Sequence, residues 1–212
     1  MSTPTAFVIA GPARCGKSTL ARKLHQRIEA QWIAVDSLTK AMNVSGLSSI
    51  IGSPDVVDDT NVGTWLDSIR ARDREAARFL VPMVENVISV QQHSLIVDNG
   101  MWAEDIARLS VPVRTVFVVD TGQDNGDRLR AIRDSGDRSA NNWHYHRSYS
   151  DEKVQWWADL NRERGKLFAA HAEQYGYPLF DLAEYDSFDD IQDAALAVLL
   201  DGYDGGNGSV QG

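Results

Sequence analysis

Gly11-Pro12-Ala13-Arg14-Cys15-Gly16-Lys17-Ser18 places two glycines with four residues between them and follows them with a lysine and a hydroxyl. Every specified position of G-x-x-x-x-G-K-[ST] is filled. The chemistry of that spacing is anion binding. The glycines let successive backbone N–H groups turn inward as a nest, and a helix beginning near Lys17 adds its positive dipole end. An apolar run at 6–10 precedes the loop and a basic helical pattern follows it, so the context agrees with the motif. The expected occupant is a nucleotide, held along Gly11, Pro12, Ala13, Arg14, Cys15, Gly16, Lys17, Ser18 and Thr19. Lys17, expected to be an exposed loop lysine, would reach the β- and γ-phosphates, and the Ser18 hydroxyl would help hold Mg²⁺. Cys15 has two readings: a thiol acidified by the helix end, or a tolerated residue at an unspecified position, which is favoured.

Two aspartates fall at the ends of apolar runs, Asp36 in "IAVDSL" and Asp98 in "LIVDNG". In open α/β sheets the carboxyl ends of strands host ligands. Asp98 is assigned to the metal's water shell. Asp36 is assigned to orienting or deprotonating an attacking hydroxyl. The alternative for each is a helix cap.

The elements that must position these groups are legible as alternating patterns. Short apolar runs at 6–10, 32–35, 94–98, 113–120 and 177–181 read as parallel strands buried on both faces. Helical patterns are expected at 17–30, 61–92, 102–109, 122–134, 151–175 and 187–200, with Pro82 able to kink the long one. This alternation predicts an α/β fold with a central parallel sheet. The segments 43–63 and 134–151 lack periodicity. One domain is expected over 1–202, followed by a disordered polar tail at 203–212.

Composition bounds the rest. The chain of 212 residues is 43% hydrophobic and 24% charged, an ordinary globular balance. It shows no run long enough to span a membrane and no signal-peptide pattern. The single cysteine rules out an internal disulfide framework and fits a reducing compartment, so a cytoplasmic location is expected. The net charge of -9 tells against sequence-independent nucleic-acid binding.

On "GPARCGKS", "VDSL", "IVDNG" and the arginine-bearing "RLRAIRDSGDR", the chain resembles the P-loop kinases that act on nucleoside monophosphates and small molecules, among them adenylate, shikimate, gluconate and chloramphenicol kinases. The resemblance runs from about Thr5 to Leu200. It implies a three-layer P-loop NTPase fold with about five parallel strands, a lid at about 135–150 and an acceptor-side region at about 43–92. It implies ATP and Mg²⁺ as cofactors. It further implies that Arg133 and Arg138, flanking the start of the lid, grip the transferring phosphates, with Arg147 as a weaker candidate. The Arg fork suits this, since it pairs bidentately with phosphate oxygens. Arg128 and Arg130 read instead as a solvated helix face.

The chain also departs from that pattern. "DNGMWAED" has no arginine after the third strand until Arg108, and "PDVVDDT" (54–60) is acidic. A neutral or cationic alcohol therefore fits better than a nucleoside monophosphate. His144 and His146 meet no common zinc spacing and read as lid surface, while Trp156 and Trp157 read as anchors of their helix. The leading expectation is a kinase phosphorylating a hydroxyl of a small metabolite or natural product. A polynucleotide or modified-nucleoside kinase and a regulatory NTPase stand behind it. No membrane partner is expected, nucleic acid is disfavoured, and a homodimer is left open.

Overall fold

Along the central strand β1 (Ala6–Ala10) alternate side chains leave opposite faces of the sheet, and all five are buried. Ala6, Val8 and Ala10 face one core, and Phe7 and Ile9 face the other. The structure, a computed structural model, describes residues 3–45, 62–136, 145 and 148–204. Arg138, Arg147, His144, His146 and most of the lid expected at 135–150 lie outside these residues, as does the acidic stretch 54–60.

Five strands form one sheet in the order β2-β3-β1-β4-β5, with every neighbouring pair parallel. The others are β2 (Gln31–Ala34), β3 (Leu95–Asp98), β4 (Val113–Val119) and β5 (Leu179–Asp181). Since all run the same way, all carboxyl ends meet at one edge. Helices α3 (Val62–Ser89), α4 (Ala103–Ile106) and α6 (Asp151–Tyr175) cover one face. Helices α1 (Lys17–His25) and α7 (Phe188–Leu200) cover the other. The three layers follow from strands apolar on consecutive positions, each fully buried Val, Ile or Phe contributing about 1.5–3 kcal/mol.

Three local expectations are corrected. β2 is an edge strand with mostly exposed residues, because it pairs with β3 alone. A helix unmarked in the sequence, α2 (Val35–Val44), follows β2 directly, so Asp36 belongs to a first helical turn rather than a strand end. Its Leu38/Met42 spacing was too short a signal to stand out from the polar segment that follows. Finally, Tyr203 lies in the expected tail yet is packed: its ring meets Phe7 edge-on at 5.0 Å, and its hydroxyl lies 3.2 Å from Ser94 Oγ. Pro82 sits within α3, which continues through it.

Two helices outrun the sheet. α3 has 28 residues and α6 has 25, about 42 and 38 Å at helical rise, against strands of three to seven residues. Each leads into the start of its strand, so the excess length projects beyond the carboxyl edge. Gly165 marks the level of that edge on α6, where a Cβ would lie 3.4 Å from the Asp120 carbonyl oxygen at the end of β4. Above it α3, α6 and α5 (Asn125–Asp134) build a separate small core from Ile69, Leu129, Val154, Trp157, Ala158 and Leu160.

Candidate active site

The strand-to-helix loop is shaped by backbone that only glycine tolerates well. Gly11 has φ +140° and lies against the Val118 backbone, where a Cβ would collide with a carbonyl oxygen. Gly16 has φ +86°, and a Cβ there would enter the Phe188 ring and the Gln192 amide. Both Thr19 and Leu20 N–H groups return to Gly16 O at 3.0 Å, starting α1. No acidic side chain occupies the first turn of α1, so its positive end is left for an anion.

Lys17 is buried, not exposed as expected, with 5% of its surface accessible. Its ammonium donates to Pro12 O, which folds the side chain back over the loop. Burial pushes its pKa down, opposed by the charges of Asp98 and Asp36. Cys15 is fully buried and its thiol donates to Ala13 O at 3.6 Å. Burial pushes that thiol up to about 12, so Cys15 is a packing residue rather than an acidified nucleophile.

Asp98 closes β3 and is 4% exposed. Its Oδ1 is buried without a hydrogen-bond partner. Burial raises its pKa, against the lowering effects of the Ser18 hydroxyl and the Lys17 charge. Asp36 is exposed, and its Oδ1 accepts from Asn99 Nδ2 at 3.3 Å. Asn99 itself is held at φ +75° with its N–H on Ile9 O at 2.9 Å, which turns its amide across the strand ends toward α2.

One cavity of about 660 Å³ collects these groups, with Ala13, Arg14, Gly16, Lys17, Ser18 and Thr19 from the loop, and Asp36, Asp98 and Asn99 from the strand-end side. Arg22, Ala34, Arg128, Ile132 and Phe188 complete it. Arg128 is a functional candidate that sequence reasoning placed on a solvated face. Its guanidinium donates to Arg14 O and Asn125 Oδ1, each at 3.1 Å, and pairs with the buried Asp120. A usable signal existed: Asp120 is a third aspartate at a strand's carboxyl end, eight residues before Arg128.

Arg133, expected on the phosphates, is placed elsewhere. It pairs with Asp134 and Asp151, each at 2.8 Å, and donates to Tyr149 O at 2.9 Å. It is not among the residues lining the cavity. These contacts raise its pKa and fasten α5 to the start of α6. Phe188 and Gln192 of α7 were also missed; Gln192 is fully buried and donates to Gly16 O at 3.4 Å, bracing the loop from behind.

The residues present suit a nucleotide with Mg²⁺. Mg²⁺ is held by hard oxygen donors, commonly one or two carboxylates together with phosphates and water. The orphaned Asp98 Oδ1 and the neighbouring Ser18 hydroxyl supply such donors. A cluster of three or more His, Cys, Asp or Glu able to hold a metal is absent among the described residues, and this ion does not require one. No helix among the described residues is long and apolar enough to cross a membrane.

No protein-family model and no curated protein matches the sequence. Solved structures do match in fold. A shikimate kinase from Bacteroides thetaiotaomicron superposes with a TM-score of 0.51 at 14% identity, covering 93% of this chain and 96% of its own. A shikimate kinase from Acinetobacter baumannii, solved with shikimate, also gives 0.51 at 14% identity, covering 94% and 93%. At such identity the similarity is one of fold. The chain shares the α/β fold of these two structures, a five-stranded parallel sheet between helical layers, as the alternating strand and helix patterns anticipated.

Proposed function

We propose that this protein is an ATP- and Mg²⁺-dependent kinase that transfers the γ-phosphoryl group to a hydroxyl of a small molecule. The observation that carries the reading is the convergence of Lys17, Ser18, Asp98 and Asp36 on one cavity from three different elements. A bare phosphate-binding turn needs only the loop and its lysine. A carboxylate on the far side, held by a dedicated amide from Asn99, is what activating an acceptor requires.

ATP with Mg²⁺, when bound, supplies the transferable phosphoryl group and the divalent charge that offsets its oxygens. The chain's own contribution is positioning and charge. The loop N–H groups and the start of α1 orient the phosphates, and the Lys17 ammonium neutralises them from within the protein. Ser18 and Asp98 would hold the metal. Asp36 Oδ1 is occupied by Asn99, so its Oδ2 is the atom that would take the acceptor's proton. Arg128, already bound to Arg14 O, keeps a cation at the cavity wall and fixes the outer turn of the loop. This assigns to Arg128 the role of a cation facing the phosphates, which the family resemblance gave to Arg133 at the start of the lid.

The test is a transfer screen with labelled ATP against pooled alcohols, nucleosides and oligonucleotides. Label should enter the alcohol pool, and Lys17→Ala should abolish it. Label passing only to oligonucleotides, or only to water with every pool present, would overturn the reading.

A further inference from the structure

We infer that Arg22 is the receptor for an anionic group on the acceptor, a carboxylate or a phosphate monoester, held while the acceptor's hydroxyl meets Asp36. This rests on the kinase reading and names a specificity residue for it.

Two observations carry it. The first is placement. Arg22 lines the same cavity as Ser18, Asp98 and Asp36. It stands four residues after Ser18 on α1, so the two share a helical face. Helical side chains lean toward the N-terminus, which directs the guanidinium back over the turn that carries Ser18. Ala34 lines the cavity from β2, in register with Asp98 and two residues before Asp36. It is small and exposed, so that wall leaves room beside the two carboxylates. Arg22 therefore stands on the Asp36 side of the phosphate loop, whereas Arg128 holds the loop's outer turn through Arg14 O.

The second is charge. A cation near the end of a helix is favoured by the helix dipole whatever it binds, so position in α1 alone means little. What singles Arg22 out is the lack of an internal partner. Lys17 donates to Pro12 O, and Arg128 pairs with Asp120. Lys23, the next residue of α1, pairs with Asp189 and Asp193 of α7. Among the described residues no carboxylate pairs with Arg22, although Asp36 and Asp98 line the same cavity. Asp36 is held by the Asn99 amide, so the two opposite charges face the cavity without closing on each other. A ligand with a hydroxyl at one end and an anion at the other satisfies both. Arginine suits the anion because its planar fork pairs bidentately with carboxylate or phosphate oxygens. The preference for a neutral or cationic alcohol drawn from the sequence is thereby reversed: it looked for an arginine after the third strand, and this one comes from α1.

The experiment is a binding titration on the whole protein with Mg²⁺ and a non-hydrolysable ATP analogue present. Four probes on one three-carbon frame are compared by calorimetry: glycerol (no charge), aminopropanediol (cationic), glycerate (carboxylate) and glycerol phosphate (phosphate). At least one anionic probe should bind tighter than glycerol and aminopropanediol by about tenfold or more. The tighter of the two identifies the anion as carboxylate or phosphate. Arg22→Gln should erase that advantage while leaving the affinities for glycerol and for the ATP analogue unchanged, and Arg22→Lys should keep part of it. Glycerol or aminopropanediol binding as tightly as both anions overturns the inference, as does no measurable binding of either anion up to its solubility. An anion preference that survives Arg22→Gln overturns it too, and so does a loss of ATP-analogue affinity in that variant, which would place Arg22 on the nucleotide. The ranking is read on the unaltered chain, so it stands even if a variant fails to fold. The kinase reading fails separately. If the anions bind in this order and labelled ATP phosphorylates none of the probes or pools, the receptor is upheld and the transfer is not. If glycerol or aminopropanediol is the preferred phosphorylated probe, the receptor is wrong and the transfer is upheld.

Discussion

Asn99 donates its side-chain amide to Asp36 Oδ1 across 3.3 Å, tying the end of β3 to the first turn of α2. Neither partner adjoins the other in sequence. The bond holds a solvent-exposed carboxylate in one orientation, beside the buried Asp98 and the phosphate loop. Asn99→Ala should therefore lower kcat several-fold with little change in the KM for ATP, whereas Asn99→Asp should be worse, since it places a like charge against Asp36. Steady-state kinetics on both variants check this.

The two carboxylates should separate in their effects. Asp36→Asn is expected to lower kcat by about 10²-fold or more with the Mg²⁺ requirement unchanged. Asp98→Asn should instead raise the Mg²⁺ concentration needed for half-maximal rate. Mg²⁺ titrations of the two variants decide the matter, and the opposite pattern would exchange their roles.

Lys17→Ala should abolish turnover without unfolding the chain. The ammonium is buried at a cost in solvation, as its lowered pKa reflects, so its loss removes an expense along with a function. A melting temperature at or above that of the unaltered protein, together with absent product, is the expected pair of results.

Arg128→Ala should act on both stability and nucleotide binding. It leaves Asp120, 3% exposed, without its cation, which should cost about 1–3 kcal/mol in denaturant unfolding. It also frees Arg14 O, so the KM for ATP should rise. Arg133→Ala should leave that KM nearly unchanged, because its partners are Asp134, Asp151 and Tyr149 O.

Cys15 should be inert to alkylating reagents in the folded protein at mildly alkaline pH and react only on unfolding. Its thiol is raised from 9.0 to about 12 by burial. A thiol whose pKa rises on folding keeps its proton in the folded chain after the unfolded chain has released it. Stability is therefore fully present below about pH 9 and is lost as pH climbs toward 12. Cys15→Ala should flatten that alkaline limb of the stability curve, as measured by denaturant midpoints across pH.

Much of this protein was legible from local pattern alone. The shape of the loop at 11–18 was readable because it lies in backbone conformation, and glycine spacing records backbone conformation directly. The strand at 6–10 and the helix at 151–175 were read with their observed bounds, since five consecutive apolar residues and a helical pattern are short-range signals. Asp98 was found because a strand's end fixes where its last side chain lies. What remained hidden depended on distance through space. That β2 is an edge strand follows from sheet order, which no strand's own residues encode. α2 was missed because one turn of apolar spacing hardly differs from a polar connection. The choice between Arg128 and Arg133, five residues apart on one helix, was decided by which carboxylates other segments bring near: Asp120 from β4 for the first, Asp151 from α6 for the second. An arginine's sequence states its charge, and only the packed chain determines which anion it is left to meet.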